Sequence, residues 1–287
     1  MITESPLDHF MQKLDGRMPL EPAERDAILA LPGHAIQVAS NRDFVRLGED
    51  VTHACLVVEG LVARFSQNRK GERQITALHI AGDMANLHSV VVPEARSALQ
   101  ALCVTTLLKV PHQALREAAT KYPRLAAAFW RENVIDGAVL SEWVVNVGRR
   151  CALAAMAHIL CEMACRYRNA EISADMDYDF AATQTHLGDM LGLTPIHVNR
   201  KLMELRELNV VTFVHKRVTI HDWAKLITIG EFDPNYLHLP RVPIDPNFEP
   251  RSRAQPRLAP ASSAESTTLI PFPKASGRKR QIHCRRS

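Results

Sequence analysis

Two periodicities of apolar residues alternate along the chain, and the points where one gives way to the other divide it. Residues 5–14 and 21–31 read as short helices, the second opening at Glu21-Pro22 with proline in an early helical position, where no backbone donor is lost. From Ala35 to about Pro111 the texture changes to short runs rich in Val, Leu, Ile and Thr, among them ACLVVEG, VARFSQN, RQITALHI and VTTLLKV. Gly48, Gly60, Gly71 and Gly82 punctuate the first part at intervals of 11 or 12 residues. Turn signals at that spacing predict an antiparallel β sandwich or barrel built from hairpins, with SQNRKGERQ as one hairpin tip.

Helical spacing returns after Pro111. HQALREAATKY predicts a short helix, and Pro123 opens a long one, PRLAAAFWRENVIDGAVLSEWVVNVG. Within it Ala127, Trp130, Val134, Gly137, Ser141 and Val144 follow the 3,4 alternation of a coiled-coil seam. Two small residues in that seam allow close approach of a partner helix; packing along the chain's own β domain is the alternative, and one helix can do both on different faces. From Arg149 another apolar helix follows, GRRCALAAMAHILCEMACRYR, and then a polar, acidic break, NAEISADMDYDF.

Residues 187–211, LGDMLGLTPIHVNRKLMELRELNVV, predict two helices joined by a tight corner. Gly188 is where the first helix lets the second approach, Gly192 supplies the corner, Thr194 is a good N-cap and Pro195 a good first residue. Val198, Leu202 and Leu205 recur at i, i+4 and i+7 as the buried stripe of a helix over 195–208. That leaves Ile196, His197, Asn199 and Arg200 on the remaining face of its first turns. Arg and Asn suit the edges of guanine and adenine in a major groove, which such a helix enters by its N-terminal turns. A solvated helical hairpin is the alternative. Two flanking features favour DNA. VTFVHKRVTIHD forms two β runs around His215-Lys216-Arg217, placed like a wing that grips phosphate, and Thr183 and Thr185 precede the first helix, where hydroxyls and free N–H groups meet phosphate.

Composition adds bounds. The chain of 287 residues, 46% hydrophobic and 23% charged, suits two domains of ordinary size. No stretch approaches the ~18 apolar residues of a membrane span, and no secretory signal is visible, so a cytoplasmic protein is expected. The formal charge of +4 is uneven: residues 241–287 hold ten Lys/Arg against three Asp/Glu, leaving 25 against 28 in residues 1–240. DNA contact must therefore rest on a local patch. Residues 231–287, with nine prolines and a basic end at Arg278-Lys279-Arg280, Arg285 and Arg286, read as a disordered tail. The six cysteines form no CxxC, and Cys161 and Cys165 are expected to be buried thiols on one helix face.

The run HLGDMLGLTPIHVNRKLMELRELNVV with its β wing resembles the DNA-binding domain of the Crp/Fnr family of bacterial transcription regulators; Gly188, Gly192, Val198, Arg200, Leu202 and Leu205 fall on the family's pattern. The upstream order, over about residues 25–225, is similar as well. The resemblance implies an α+β architecture: an N-terminal antiparallel, jelly-roll-like β-roll of cyclic-nucleotide-binding type (1–122), a dimerisation helix (123–147), a winged helix-turn-helix domain (148–228) and the tail (229–287). It implies a homodimer on palindromic double-stranded DNA, with RNA polymerase as a partner and no catalytic residues. Bases would be read chiefly by Arg200 with Asn199 and His197 assisting, and phosphates held by Lys201, Lys216 and Arg217; Thr183, Thr185, Thr194, Pro195 and Ile196 complete the expected DNA-binding set. The chain departs from the family at Ile196, where an acid is common, and at Pro195, where Arg is common.

For a cyclic nucleotide the family uses Gly-Glu and Arg-Ser pairs, and the corresponding residues here are Gly82-Asp83 and Arg96-Ser97. Asp83 is shorter than the family's Glu, and the stretch between the pairs is apolar and proline-containing, so Asp83, Arg96 and Ser97 stand as a tentative ligand set and no cofactor is expected. An iron–sulfur cluster of the family's type needs grouped N-terminal cysteines, and none precedes Cys55; His53, His79 and His88 are the candidates for haem ligation. A metal enzyme on a cupin-like barrel lacks the HxH it needs. A ligand-binding module acting through protein partners is the second reading.

Overall fold

Helix α1 spans Asp8–Arg17 and α2 spans Pro22–Leu29, whose start is fixed by a reciprocal cap: the Glu24 carboxylate accepts the Glu21 N–H at 2.8 Å while the Glu21 side chain accepts from the N3 backbone. The computed structural model describes residues 5–173 and 177–239; the basic end of the tail and Cys284 lie outside them.

The residues between His34 and Pro111 form seven strands, β1 (His34–Val38), β2 (Arg42–Val45), β3 (His53–Glu59), β4 (Val62–Gln67), β5 (Arg73–His79), β6 (Ala98–Ala101) and β7 (Thr105–Pro111). They pair antiparallel in two sheets, ordered β1-β7-β3 and β2-β6-β4-β5. Val57, Leu107, Val62 and Leu99 are among the buried residues packed between them. The expected antiparallel roll is present, and SQNRKGERQ is the β4–β5 tip. Gly60 is required at its turn: φ is +108°, and a Cβ there would lie 2.5 Å from Thr105 Oγ1.

Helix α3 (His112–Lys121) leads into α4 (Pro123–Arg149), and α5 (Ala152–Asn169) follows an extended Arg150 held by Glu142 at 2.5 Å. Helix α4 has two apolar faces. Leu125, Phe129, Ile135, Val139 and Trp143 are buried, whereas every seam position, Ala127, Trp130, Val134, Gly137, Ser141 and Val144, is exposed. Trp130 is 74% exposed, Val134 59% and Val144 61%, so packing on the chain's own domains leaves the seam uncovered. On α5, Cys161 and Cys165 are buried free thiols as expected, and burial pushes Cys165 up to about 12.

The last segment contains β8 (Tyr178–Asp179), α6 (Gln184–Leu191), α7 (Pro195–Glu207), β9 (Val211–Val214), β10 (Arg217–Ile220) and α8 (Trp223–Gly230). The wing is a three-stranded sheet, β8-β10-β9. Its third strand comes from the break that looked merely polar, because Tyr178 and Phe180 within it are buried.

The expectation of a tail from residue 229 is corrected for residues 229–239. Helix α8 continues to Gly230, Phe232 and Leu237 are buried, and the rings of Phe232 and Tyr236 pack against His158 of α5. The aromatic residues scattered among the first prolines supply enough apolar surface to dock. Among the described residues no helix is long and apolar enough to cross a membrane.

One close approach fixes the helix pair. A Cβ on Gly188 would lie 2.5 Å from the Leu193 carbonyl oxygen, backbone that cannot move without displacing α7. Gly188→Ala is expected to destabilise the protein by about 1–3 kcal/mol, read as a lowered midpoint in thermal or urea denaturation.

Candidate nucleic-acid interface

Local caps define both helices of the pair. Thr183 Oγ1 accepts the His186 N–H at 3.2 Å, and His186 Nδ1 accepts the Thr183 N–H in return at 3.2 Å. Burial, with Arg73 and Lys216 nearby, holds His186 below its usual pKa and so in the neutral form this bond needs. Helix α6 ends at Gly192 in the left-handed region (φ +66°), and the Leu193 N–H closes onto Gly188 O at 3.1 Å. Thr194 then caps α7 by accepting the His197 N–H at 3.3 Å, with Pro195 as its first residue.

The buried stripe orients α7. Val198 and Leu205 are fully buried and Leu202 half-buried, which turns Ile196, Asn199, Arg200 and Met203 outward at i, i+3, i+4 and i+7. Arg200 forms no ion pair among the described residues. His197 is half-buried beside this face.

The wing turn is tight. His215 and Lys216 both have positive φ, 51° and 63°, the geometry of a two-residue hairpin turn matched to strand twist. Lys216 is exposed at the tip, and Arg217 opens β10 with its guanidinium 3.2 Å from Asp179. Lys201 pairs with Glu204 at 2.6 Å. The Arg217–Asp179 pair is exposed, and such pairs contribute little, so Arg217 can exchange its carboxylate for a phosphate; Lys201 is half-buried. Thr185 does not precede α6, as the sequence suggested; the Thr183 cap starts the helix at Gln184 and puts exposed Thr185 in its first turn. Sequence reasoning also missed Gln184, whose Nε2 donates to Asn199 Oδ1 at 3.2 Å across the pair. A contact between residues 15 apart has no local signal.

The tentative ligand residues do not converge. Arg96 is exposed and pairs with Glu94 at 2.9 Å, with Ser97 beside it. Asp83 is buried, and its carboxylate accepts from Lys13 at 2.6 Å, Arg166 at 2.8 Å and the Ile80 N–H at 2.9 Å. Burial alone would raise its pKa; Lys13 and Arg166 override this and hold it far below the usual carboxylate range. Asp83 lines a cavity of about 560 Å³ shared with Lys13, His79, Glu132, Asp136 and Arg166, and neither Arg96 nor Ser97 reaches it. Burial, with Arg64 nearby, pushes His79 down to about 3. No group of His, Cys, Asp and Glu among the described residues is arranged to hold a metal ion.

A capped two-helix reader with a β wing, set after an antiparallel roll and a long helix, defines a winged helix-turn-helix protein. Residues 154–229 match the family model described as the Crp-like helix-turn-helix domain. The chain is 24% identical over 194 residues to the anaerobic regulatory protein of Aggregatibacter actinomycetemcomitans, covering 68% of this chain and 75% of that one. It is 21% identical over 231 residues to the fumarate and nitrate reduction regulatory protein of Vibrio cholerae, covering 80% and 84%. Among solved structures, FixK2 from Bradyrhizobium japonicum superposes with a TM-score of 0.62 at 22% identity, over 69% of this chain and 98% of that one. The chain carries a Crp-like helix-turn-helix domain and is a DNA-binding transcription regulator of Crp/Fnr type.

The Asp83 cluster makes a pH-dependent contribution to stability. A carboxylate whose folded pKa is depressed stabilises the fold above its unfolded value of about 3.9 and loses that stabilisation as pH falls through the folded value. Asp83→Asn is expected to cost about 3–5 kcal/mol at neutral pH by leaving buried cations uncompensated. Acid titration of unfolding should then show a shallower loss of stability below about pH 4 in the variant than in the parent.

Proposed function

We propose that this regulator acts as a homodimer joined along α4 and reads a palindromic site with two copies of α7 in successive major grooves, about 34 Å apart. The outward face of α7 carries the reading: its stripe is sealed into the core while Asn199 and Arg200 stand exposed on the first turns. Arg200 donates two hydrogen bonds to guanine O6 and N7, and Asn199 and His197 assist. Thr183, Thr185, Lys201, Lys216 and Arg217 hold phosphates, which sets register without reading sequence. Residues 1–122 form the sensor unit, 123–147 the dimer helix, and the winged domain extends from 148 through the packed segment to 239.

A signal received in the roll would bias α4 and with it the spacing of the two readers. The protein works in the cytoplasm, on promoters, with RNA polymerase as its partner, and it is not an enzyme. The exposed seam supports the dimer, since Trp130, Val134 and Val144 need a cover that the protomer does not provide.

Two measurements test this reading. Selection from a random duplex pool should enrich a palindrome for the parent protein, and Arg200→Ala should bind it on the order of 30-fold or more weaker, since two bidentate contacts at ~1–3 kcal/mol each are lost. Equal affinity in parent and variant overturns Arg200 as a reader. Val134→Glu, at a position exposed in the protomer, should sediment as a folded monomer where the parent is a dimer.

A further inference from the structure

Ile196 is the large apolar side chain that this reader presents to solvent at its first turn. It is 84% exposed, while Val198 and Leu205 on the same helix are buried. It lies one turn before Arg200, on the face shared with Asn199; the Thr194 cap with Pro195 fixes the start of the helix, and buried Val198 and Leu205 hold this face outward. An aliphatic side chain has no hydrogen bond to offer a base edge. What it can recognise in a major groove is the one apolar group displayed there, the C5-methyl of thymine.

We propose that Ile196 determines specificity by packing on a thymine methyl, so that each half-site pairs the guanine read by Arg200 with a thymine close by. Four residues of helix advance about 6 Å, and base pairs stack about 3.4 Å apart, which places that thymine one or two steps from the guanine. Replacing the acid common at this position in the family removes an acceptor for cytosine N4 and substitutes a requirement for a methyl group. The inference rests on the reading of α7 as the recognition helix.

The test uses the full-length protein and its selected duplex. Each thymine of the half-site is replaced in turn by deoxyuridine, which keeps base pairing and removes only the methyl. Deoxyuridine at one thymine per half-site, one or two steps from the guanine sensitive to Arg200→Ala, should weaken binding by roughly 3- to 5-fold per half-site, the effect of one buried methyl. Ile196→Ala, an exposed change to a better helix former, should bind the thymine and deoxyuridine duplexes equally.

Indifference of the parent protein to every deoxyuridine overturns the inference while leaving the reader intact. So does a loss of the same size in parent and Ile196→Ala. Failure to enrich any duplex overturns the reader itself, and this inference with it.

Discussion

A buried chain of charges ties together parts of the molecule that the sequence places far apart. Asp83 in the turn after β5 accepts from Lys13 of α1 and from Arg166 of α5; Arg166 also donates to Leu78 O at 2.7 Å and to Glu162 at 3.2 Å. Glu162 accepts in turn from Trp143 of α4 and from Tyr236 beyond α8, each at 2.8 Å. Lys13 and Arg17 meet Glu132 of α4 at 2.9 and 2.6 Å. Removing these charges from water is costly, so the cluster persists only because each charge meets an opposite one with good hydrogen-bond geometry. Its members come from the roll, the long helix and the winged domain, and a rearrangement of any of them must break or remake it.

Apolar contacts run the same way: the core of the winged domain is continuous with Leu61, Phe65, Ile75 and Leu78 of the roll and with Ile135, Val139 and Trp143 of α4. Gln74 of β5 donates to Met190 O of α6 at 2.9 Å. Helix α4 therefore stands between two surfaces, a buried face that registers the roll and the winged domain, and an exposed seam suited to a second copy. Packed interfaces of this kind shift between discrete arrangements rather than deforming continuously.

What was legible in the sequence was local. Gly188, Gly192, Thr194, Pro195 and the Val198-Leu202-Leu205 stripe announce the helix pair because each does its work within a few residues of itself. The β texture between Ala35 and Pro111 is visible for the same reason, in turn residues at regular spacing. The misses are long-range. Asp83 and Arg96 sit at matching sequence positions for a phosphate cradle, yet Asp83 is taken by Lys13 and Arg166, 70 and 83 residues away. Strand β8 and the Phe232–Tyr236 segment are short, and their order comes from docking on partners that no local pattern shows. Gln184 reaches Asn199 only once the corner at Gly192 has folded the two helices together.

The proposed recognition depends on Arg200 lying in a major groove twice per site. Methylation interference on the selected duplex tests this directly, because a methyl on guanine N7 blocks the acceptor that the guanidinium needs. Interference is expected at one guanine in each half-site, symmetric about the centre and about one helical turn apart, and should disappear from the residual binding of Arg200→Ala. Protection of the duplex without any guanine N7 interference, or interference on one side only, would contradict it.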